Sequence, residues 1–303
     1  MTESIGRLGD QSAVRRFALD DTIFTYVVDG ATTVDTEAFF PTIPNRYWAT
    51  HPEALESGDR VAMSTGGLLV ERAGSKLMID AGYGELSEDT AMSAVNCGEF
   101  LTVLSALGVN PGDIGTLAFT HLHADHTGWA FSRTEDGYLS KTFPAARYVL
   151  SDLEWRPFLN GERPMGAPPH HTLVEPLAWV ITLVQDGEEI VPGVDAVVTP
   201  GHSAGHTSYV VMTDAGKRLI AFGDIFHTPV QITHPEWSSI PDVNSDGALQ
   251  ARAHIADELT QPNTFGFGIH FGDQPFGRVT RRPDGKPQWV PTRSTELLPA
   301  PRP

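Results

Sequence analysis

Three histidines and one aspartate fall within six residues of this sequence, in the order His121-Leu122-His123-Ala124-Asp125-His126. In an extended segment, side chains two residues apart point the same way, so His121 and His123 can bind one metal ion together. Asp125 and His126 follow after the chain turns, and can face a second ion. Imidazole and carboxylate ligands suit zinc and tolerate manganese, iron or cobalt. The spacing therefore predicts a metal centre and disfavours a polar loop with unrelated histidines.

Three further polar residues each come directly after a strand-like run, as His121 does after residues 117–120. His202 follows the run at 197–199, Asp224 follows 219–222, and His270 follows 265–269. Residues at strand ends can meet at one rim of a protein from distant positions in the chain. We therefore expect these side chains to lie near the segment 121–126.

The elements that position these residues can be predicted from periodicity and turns. β-rich runs around Gly-containing turns predict hairpins at 67–71 with 76–80, at 209–212 with 218–222, and at 278–280 with 288–290. Helices are predicted over residues 96–107, 151–159 and 247–259, and the single cysteine, Cys97, is expected to be a small core residue in the first of them. Blocks of strands followed by helices indicate an α+β protein with more than one layer.

The motifs, taken in order, resemble those of the metallo-β-lactamase superfamily. Residues 120–128 are similar to its signature, 77–82 to its strand-Asp-x-Gly element, and 199–206, 223–224 and 268–270 to its later elements. The resemblance implies an αββα sandwich with the metal site at one edge of the two sheets. We expect residues 1–303 to form one such domain, with an N-terminal extension over about 1–60 and a Pro-rich tail over about 296–303.

The resemblance also implies a ligand set for two ions, expected to be zinc. It assigns His121, His123 and His202 to the first ion, Asp125, His126 and His270 to the second, and Asp224 to both, together with a hydroxide. His202 is favoured over His206, which is expected to orient the loop instead. Asp80 is expected either to support a ligand or to be a turn residue before Gly82.

Within the superfamily, residues 223–231 and 269–271 resemble the methyl parathion hydrolase and N-acyl homoserine lactonase groups. His227 stands three residues after Asp224, where lactonases of the best-known type carry tyrosine. We predict that His227 donates a hydrogen bond to the oxyanion that develops during catalysis, with Tyr83 as a further candidate. The alternatives are that His227 packs under the site or binds a metal. Asp125 is predicted to accept or pass a proton.

The resemblance implies a dinuclear-metal hydrolase in which a bridging hydroxide opens a lactone or cleaves a carboxylic ester that carries an apolar group. The alternatives are a phosphotriesterase of the methyl parathion hydrolase type and a thioesterase similar to glyoxalase II. A glyoxalase II would need a basic C-terminal site, where this chain offers Arg278, Arg281 and Arg282. Asp224 disfavours a true β-lactamase, which usually carries cysteine or serine there, and the full ligand set disfavours a non-catalytic binding protein.

The composition narrows the class of partner to a small-molecule substrate. A formal net charge of −17 repels phosphate backbones and disfavours nucleic acid. No run reaches the roughly 18 to 20 apolar residues of a membrane helix, and residues 1–10 lack the apolar run of a signal peptide. One cysteine allows no internal disulfide, so we expect a cytoplasmic protein. A homodimer is a possible assembly.

Outside the motifs, several side chains have two interpretations each. Trp48, Trp129, Phe226, Trp237, Phe271 and Phe276 are expected either to line an apolar pocket or to pack in the core. His51, His170, His171 and His234 are expected either to approach the substrate or to be solvated loop residues, and His254 is expected on a helix surface.

Overall fold

The computed structural model describes residues 2–300. Its strands are β1 Thr2–Ser4, β2 Val14–Leu19, β3 Thr22–Asp35, β4 Arg60–Ala62, β5 Thr65–Arg72, β6 Ser75–Ile79, β7 Leu86–Asp89, β8 Ser93–Cys97, β9 Thr116–Ala118, β10 Phe131–Arg133, β11 Leu139–Lys141, β12 Arg147–Ser151, β13 Ile181–Val184, β14 Glu189–Val191, β15 Val194–Val198, β16 Thr207–Met212, β17 Arg218–Ala221, β18 Thr264–Phe267, β19 Phe276–Arg281, β20 Pro287–Pro291 and β21 Ser294–Leu298.

The helices lie between the strands, and the longest is α8, Ser245–Leu259, with 15 residues. The α-helices are α1 Thr36–Phe39, α2 Asn45–Thr50, α3 Phe100–Ala106, α4 Ala124–Thr127, α5 Asp152–Leu159, α6 Glu175–Leu177, α7 Val230–Thr233 and α8 Ser245–Leu259. Single 3₁₀ turns occur at Pro52–Ala54, Pro111–Asp113 and Gly223–Ile225, and a π-helical turn at His170–Val174. Within residues 2–300, no helix has the length and apolar character that crossing a membrane requires.

Two mixed sheets form the framework of the fold. The first has the strand order β1-β21-β2-β3-β5-β6-β9-β12-β13, with β4 and β8 also paired to β3 and β7 paired to β8. The second has the order β14-β15-β16-β17-β18-β19-β20. Apolar side chains of both sheets, such as Leu68 and Leu117 of the first and Tyr209 and Leu219 of the second, belong to one buried cluster. The sheets therefore pack face to face, as the predicted sandwich requires.

Helices complete the α+β architecture. Helix α8 packs Ile255 and Leu259 against Ile220 and Phe222 in a second buried cluster. Helices α3 and α5 pack against β3 and β12 of the first sheet. Helix α8 begins two residues before the predicted start, because Asn244 caps it by accepting a hydrogen bond from the Gly247 amide at 3.1 Å. The predicted fold class is confirmed.

The three predicted hairpins are present, and their registers follow the turns. Strands β5 and β6 pair Leu68 with Ile79, β16 and β17 pair Val211 with Leu219, and β19 and β20 pair Val279 with Trp289.

The predicted helix over residues 96–107 is wrong in its first part. Residues 93–97 form β8, which pairs with β3, and α3 begins only at Phe100. Gly98, with φ 142°, separates the two elements. Cys97 is consequently a half-buried strand residue, and its Sγ lies 3.1 Å from Thr65 Oγ1. The cause is a strand pairing across more than sixty residues, which local apolar periodicity does not report.

The terminal regions are built into the first sheet. Strand β3 pairs with β2, β4, β5 and β8, so residues 14–35 lie centrally in the sheet rather than outside it. Strand β21 pairs with β1 and β2, so the tail predicted from about residue 296 begins inside a strand. Residues 301–303 lie outside the described residues.

Candidate metal centre

The predicted ligands lie where strands of both sheets end. His121 follows β9, and His123 keeps an extended backbone with φ −85° and ψ 156° before α4 begins at Ala124. Asp125 and His126 sit in the single turn of α4 and so face a different direction from the two preceding histidines. His202 lies between β15 and β16, Asp224 in the 3₁₀ turn after β17, and His270 after β18.

The side chains form two groups that share Asp224. His121, His123, His202 and Asp224 have potential ligand atoms within 4.8 Å of one another, and so have Asp125, His126, Asp224 and His270. Below, the first is called the three-histidine group and the second the mixed group. The structure thus brings together all seven residues that the sequence predicted as ligands.

Distances within the two groups match those expected around a small cation. In the three-histidine group, His202 Nε2 lies 3.2 Å from His121 Nε2 and 3.1 Å from His123 Nδ1. In the mixed group, Asp224 Oδ1 lies 3.2 Å from the Nε2 atoms of His126 and His270. A tetrahedral zinc ion with bonds of about 2.0–2.1 Å holds its ligand atoms roughly 3.3 Å apart.

Asp224 is oriented to serve both groups. Its Oδ1 faces the mixed group, whereas its Oδ2 lies 3.5 Å from His202 Nε2 and 3.9 Å from His121 Nε2. This carboxylate is 4% exposed. Each of its oxygens can therefore bind a different ion.

Three atoms of the mixed group supply a test of whether a metal fits. His126 Nε2, His270 Nε2 and Asp224 Oδ1 are buried and have no hydrogen-bond partner. Leaving a buried polar atom without a partner costs about 1–3 kcal/mol, so native proteins rarely do it. The three atoms point at one another, and a cation between them would satisfy them all. The residues present fit a metal ion.

Burial keeps two histidines of the three-histidine group, His121 and His123, uncharged. It lowers the pKa of His121 well below the usual range, and the neighbouring His126 and His123 lower that pKa further. Burial likewise lowers the pKa of His123 to about 3, with His202 adding to the effect. Neutral imidazole is the form that binds a metal, so these two side chains are in the required state near pH 7.

In the mixed group, carboxylates reverse the effect of burial. Burial alone would lower the pKa of His126, but Asp224, Asp125 and Asp80 raise it well above the usual range. The pKa of His270 is also raised, because Asp224 and Asp125 outweigh its burial. Burial would raise the pKa of Asp224, yet the charges of His126, His270 and His227 hold it well below the usual range.

The Nδ1 atoms of four predicted ligands contact other parts of the chain, which fixes the orientation of each ring. The contacts are His121 with Thr120 Oγ1 at 3.0 Å, His126 with Asp80 Oδ2 at 2.9 Å, His202 with Asp242 Oδ1 at 3.3 Å, and His270 with the Ser64 carbonyl at 3.1 Å. Asp80 also accepts hydrogen bonds from the amide and hydroxyl of Thr120. Asp80 therefore supports a predicted ligand, one of its two expected roles.

Glu154, Asp242 and Arg252 support the centre and were not predicted from the sequence. Glu154 of α5 is buried and accepts hydrogen bonds from the Leu122 amide at 3.0 Å, the Ser203 hydroxyl at 2.7 Å and the Gly205 amide at 2.8 Å. It thereby joins the loop of His121 and His123 to the loop of His202. Arg252 of α8 donates to Asp242 Oδ2 at 2.7 Å. The sequence predicts the helices that carry Glu154 and Arg252, but no local pattern predicts which residues these two side chains contact.

His206 lies behind the centre. Its Nε2 accepts a hydrogen bond from the Asp224 amide at 3.0 Å, and its Nδ1 lies 3.0 Å from Thr199 Oγ1. A Cβ atom at Gly223, where φ is 51°, would come within 2.6 Å of His206 Nε2, so this approach requires glycine. His206 orients the Asp224 turn, which agrees with the role expected for it.

His227 is 1% exposed and lies against Asp224. Its Nε2 is 3.2 Å from Asp224 Oδ2, its Nδ1 is 3.2 Å from Ser239 Oγ, and its ring meets the edge of Phe39 at 5.4 Å between centroids. Burial lowers the pKa of His227 to about 4, although Asp224 opposes the shift. The ring is therefore neutral near pH 7, and both contacts are satisfied when Nε2 carries the proton.

The other histidines lie apart from the centre. His51 stacks on Tyr47 and His234 on Trp237, whereas His254 is exposed on α8 as expected. His170 and His171 form a third cluster with Glu175. Of the aromatic residues considered as pocket walls, Trp48, Phe226, Phe271 and Phe276 are buried in the core.

A cavity of about 270 Å³ opens beside His123. Its apolar lining is Leu122, Pro157, Phe158, Pro164, Ala204 and Val243, and its polar lining includes Glu154, Glu162, Arg163 and Ser203. Among the predicted ligands, Asp125 is the most accessible, with 23% of its side chain exposed. The cavity therefore opens beside the three-histidine group, and the mixed group has a partly accessible carboxylate.

Part of the chain is similar in sequence to curated N-acyl homoserine lactonases. The chain is 28% identical to an N-acyl homoserine lactonase of Bacillus cereus over 130 residues, which are 42% of this chain and 45% of the relative. It is 27% identical over the same length to an N-acyl homoserine lactonase of Bacillus thuringiensis. The match thus spans less than half the length of these curated relatives.

Solved structures extend the likeness in fold to nearly the whole chain. A hydrolase of the beta lactamase superfamily, AbOPH, superimposes with a TM-score of 0.77 at 22% identity, over 93% of this chain and 98% of its own. AidC, a dizinc quorum-quenching lactonase solved with the product N-hexanoyl-L-homoserine, gives a TM-score of 0.77 at 18% identity, with the same coverage. The family model of the metallo-beta-lactamase superfamily matches residues 67–264. The chain belongs to the metallo-beta-lactamase superfamily.

Proposed function

We propose that the protein is a dinuclear-metal hydrolase that opens a lactone or cleaves a carboxylic ester bearing an apolar group. The observation that carries this proposal is Asp224, whose two oxygens face two separate ligand groups. The three buried atoms without partners in the mixed group support a second ion in addition to the first. We propose two zinc ions, since histidine and carboxylate without cysteine suit zinc.

When bound, two such ions would lower the pKa of a water molecule and polarise the carbonyl group whose carbon is attacked. His121, His123 and His202 would hold one ion, Asp125, His126 and His270 the other, and Asp224 both. The partly exposed Asp125 carboxylate can then accept a proton from the reacting water or pass it to the leaving oxygen.

Two side chains are candidates to stabilise the negative charge that develops on the substrate oxygen. Burial, followed by the charge of Asp125, raises the pKa of Tyr83, so its hydroxyl keeps its proton and can donate. His227 is neutral and has one N–H, and its nearest acceptor is Asp224 Oδ2. We propose that His227 either donates to the substrate oxygen or holds the shared carboxylate, and variants can separate the two roles.

The apolar cavity beside His123 supports the substrate class. It offers Leu122, Phe158 and Val243 to an acyl or aryl group. A polyanionic substrate would instead be repelled by the formal net charge of −17 on the chain. The named relatives are lactonases, and one neighbouring structure holds an N-acylated product. We therefore place an N-acyl lactone first among the substrates to test.

A matched set of substrates tests this function. The holoenzyme would be assayed on a γ-lactone, an aryl ester, a thioester and a phosphotriester that carry the same apolar group. We expect turnover of the lactone or the carboxylic ester, abolished by a chelator and restored by zinc. Preference for the phosphotriester or the thioester would favour a methyl parathion hydrolase-like or glyoxalase II-like activity. Cleavage of nucleic acid without turnover of any lactone or ester would refute the proposal.

We further propose a cytoplasmic enzyme and a homodimer as its assembly. Light scattering of the purified protein measures the mass of the assembly directly, and a mass of one chain, 32.9 kDa, would exclude the dimer.

A further inference from the structure

A third cluster of metal-binding side chains lies on the surface, outside the candidate metal centre. His170 Nδ1 and His171 Nδ1 lie 3.2 Å and 3.1 Å from the same oxygen of Glu175, Oε1. These separations equal those between the ligand atoms of the three-histidine group, which are 3.1 Å and 3.2 Å. They are close to the roughly 3.3 Å expected between ligands of a tetrahedral zinc ion.

An irregular piece of backbone brings these three side chains together. Residues His170–Val174 form a π-helical turn, closed by a hydrogen bond from the Glu175 amide to the His170 carbonyl. In a regular α-helix, neighbouring residues point about 100° apart, so adjacent histidines would not both reach one carboxylate. π-Helical turns are rare and occur frequently at functional sites.

One ligand atom of the cluster lacks a suitable partner. His170 Nδ1 is shielded from solvent and makes no hydrogen bond of acceptable geometry, although Glu175 Oε1 is near. All three side chains are partly open to solvent, with 40% of His170, 83% of His171 and 51% of Glu175 exposed. A cation between the three would satisfy His170 Nδ1 and keep at least one coordination position for water. Two histidines and a glutamate are an established ligand set for zinc.

We propose that His170, His171 and Glu175 form a third, exchangeable site for a divalent transition-metal ion, with zinc as the favoured ion. The site is independent of the proposed hydrolase activity, because it shares no residue with the centre. It adjoins the segment 160–169, whose Gly166 carbonyl accepts a hydrogen bond from the Ala124 amide at 2.9 Å. A Cβ atom at Gly166 would approach the His123 ring to 2.7 Å, so this segment covers the centre closely. An ion at the third site would therefore hold in place the C-terminal end of the segment 160–169.

Equilibrium dialysis of the holoenzyme against increasing Zn²⁺ tests the site without any activity measurement. We expect one weaker equivalent per chain beyond the tightly held ions. His171→Ala and Glu175→Gln should each weaken this equivalent by more than about 10-fold, since losing only an outer partner of a metal ligand costs about 10- to 100-fold. His254→Ala, which removes an exposed histidine from α8, is the matched control and should change nothing.

Two results of the dialysis would overturn the proposal. One is the absence of a weaker equivalent in the unmodified protein. The other is a weaker equivalent that persists in both variants, which would mean an adventitious ion only. Hydrogen exchange on the unmodified holoenzyme provides a second measurement: zinc should slow exchange over residues 166–175, and unchanged exchange there would also contradict the site.

Discussion

The three-histidine group and the mixed group share Asp224 and have nearly the same ligand spacing, yet they hold protons differently. Burial keeps His121 and His123 neutral, with the pKa of His123 lowered to about 3. In the mixed group, carboxylates raise the pKa of His126 and of His270 despite equal burial. A metal ion binding to His126 and His270 must therefore displace protons that His121 and His123 do not carry.

This difference follows from where the carboxylates lie. His126 is close to Asp80, Asp125 and Asp224, whose oxygens are 2.9 Å, 3.5 Å and 3.2 Å from its ring nitrogens. His121 has Asp224 at 3.9 Å and other imidazoles around it. The number of neighbouring carboxylates, rather than the type of ligand, therefore separates His126 from His121. Four predictions follow from this comparison.

Removing Asp224, the residue shared by the two groups, should give the largest effect on activity. Asp224→Ala is expected to weaken binding of the ion by the mixed group and to lower kcat. The loss in kcat should exceed the about 10²- to 10³-fold that is typical of one missing hydrogen-bond donor. His206→Ala, which changes only the support of Asp224, should cost about 10- to 100-fold. Elemental analysis and kcat of both variants provide the measurement. Equal losses would overturn the choice of His202 over His206 as a ligand.

His227 contacts the shared carboxylate on the side of the three-histidine group. If it donates to the substrate oxygen, His227→Ala should keep both ions and lose about 10²- to 10³-fold in kcat, and His227→Tyr should regain part of it. This is the outcome we expect. Full activity of His227→Ala would exclude a catalytic role, and loss of an ion would show that His227 holds Asp224 or binds the metal itself.

A matched pair of carboxylates distinguishes the two groups. Asp80 contacts Nδ1 of His126 in the mixed group, and Asp242 contacts Nδ1 of His202 in the three-histidine group. Asp80→Asn should lower the affinity for one ion, and Asp242→Asn the affinity for the other, each by about 10- to 100-fold. Competition with a chelator, following the two ions separately, measures this. If both variants lose the same ion, the division into two groups is wrong.

The smallest effect is a difference in pH dependence. Because their pKa values are raised, His126 and His270 bind protons at pH values where an ordinary histidine has lost them. These protons compete with the metal, so lowering the pH should reduce the affinity of the mixed group for its ion. Each displaced proton contributes up to about 10-fold in affinity per pH unit. The pKa values of His121 and His123 are lowered, so the ion that these two histidines hold should lose less affinity as the pH falls. Chelator competition between about pH 6 and 8, around the ordinary pKa of histidine, is the measurement. Parallel curves for both ions would contradict the comparison.

Much of the centre could be predicted because its spacing is local. Side chains at i and i+2 of an extended segment share a direction, which groups His121 with His123, and the turn of α4 carries Asp125 and His126 to the other side. The strand-like runs before His202, Asp224 and His270 likewise marked where those ligands lie. The ligand set itself came from the order of the motifs and its resemblance to a family.

The carboxylates that hold the predicted ligands and their loops in place could not be predicted in the same way. Glu154 is 32 residues from Leu122 and 51 from Gly205, and Asp242 is 40 residues from His202. No local pattern distinguishes these carboxylates from those on a solvated helix or loop. For the same reason, the predicted helix over 96–107 includes residues 96–97 of β8, because the strand character of β8 depends on pairing with β3.

The sequence by itself determined the ligand types, their division into two groups and the class of fold, since each depends on residue identity and short-range spacing. Only the tertiary structure decided how many carboxylates surround each histidine, and therefore which imidazoles are neutral and which hold protons. It also decided that Asp224 presents one oxygen to each group. These properties depend on distances between strands far apart in the chain, and pKa values respond to such distances rather than to sequence neighbours.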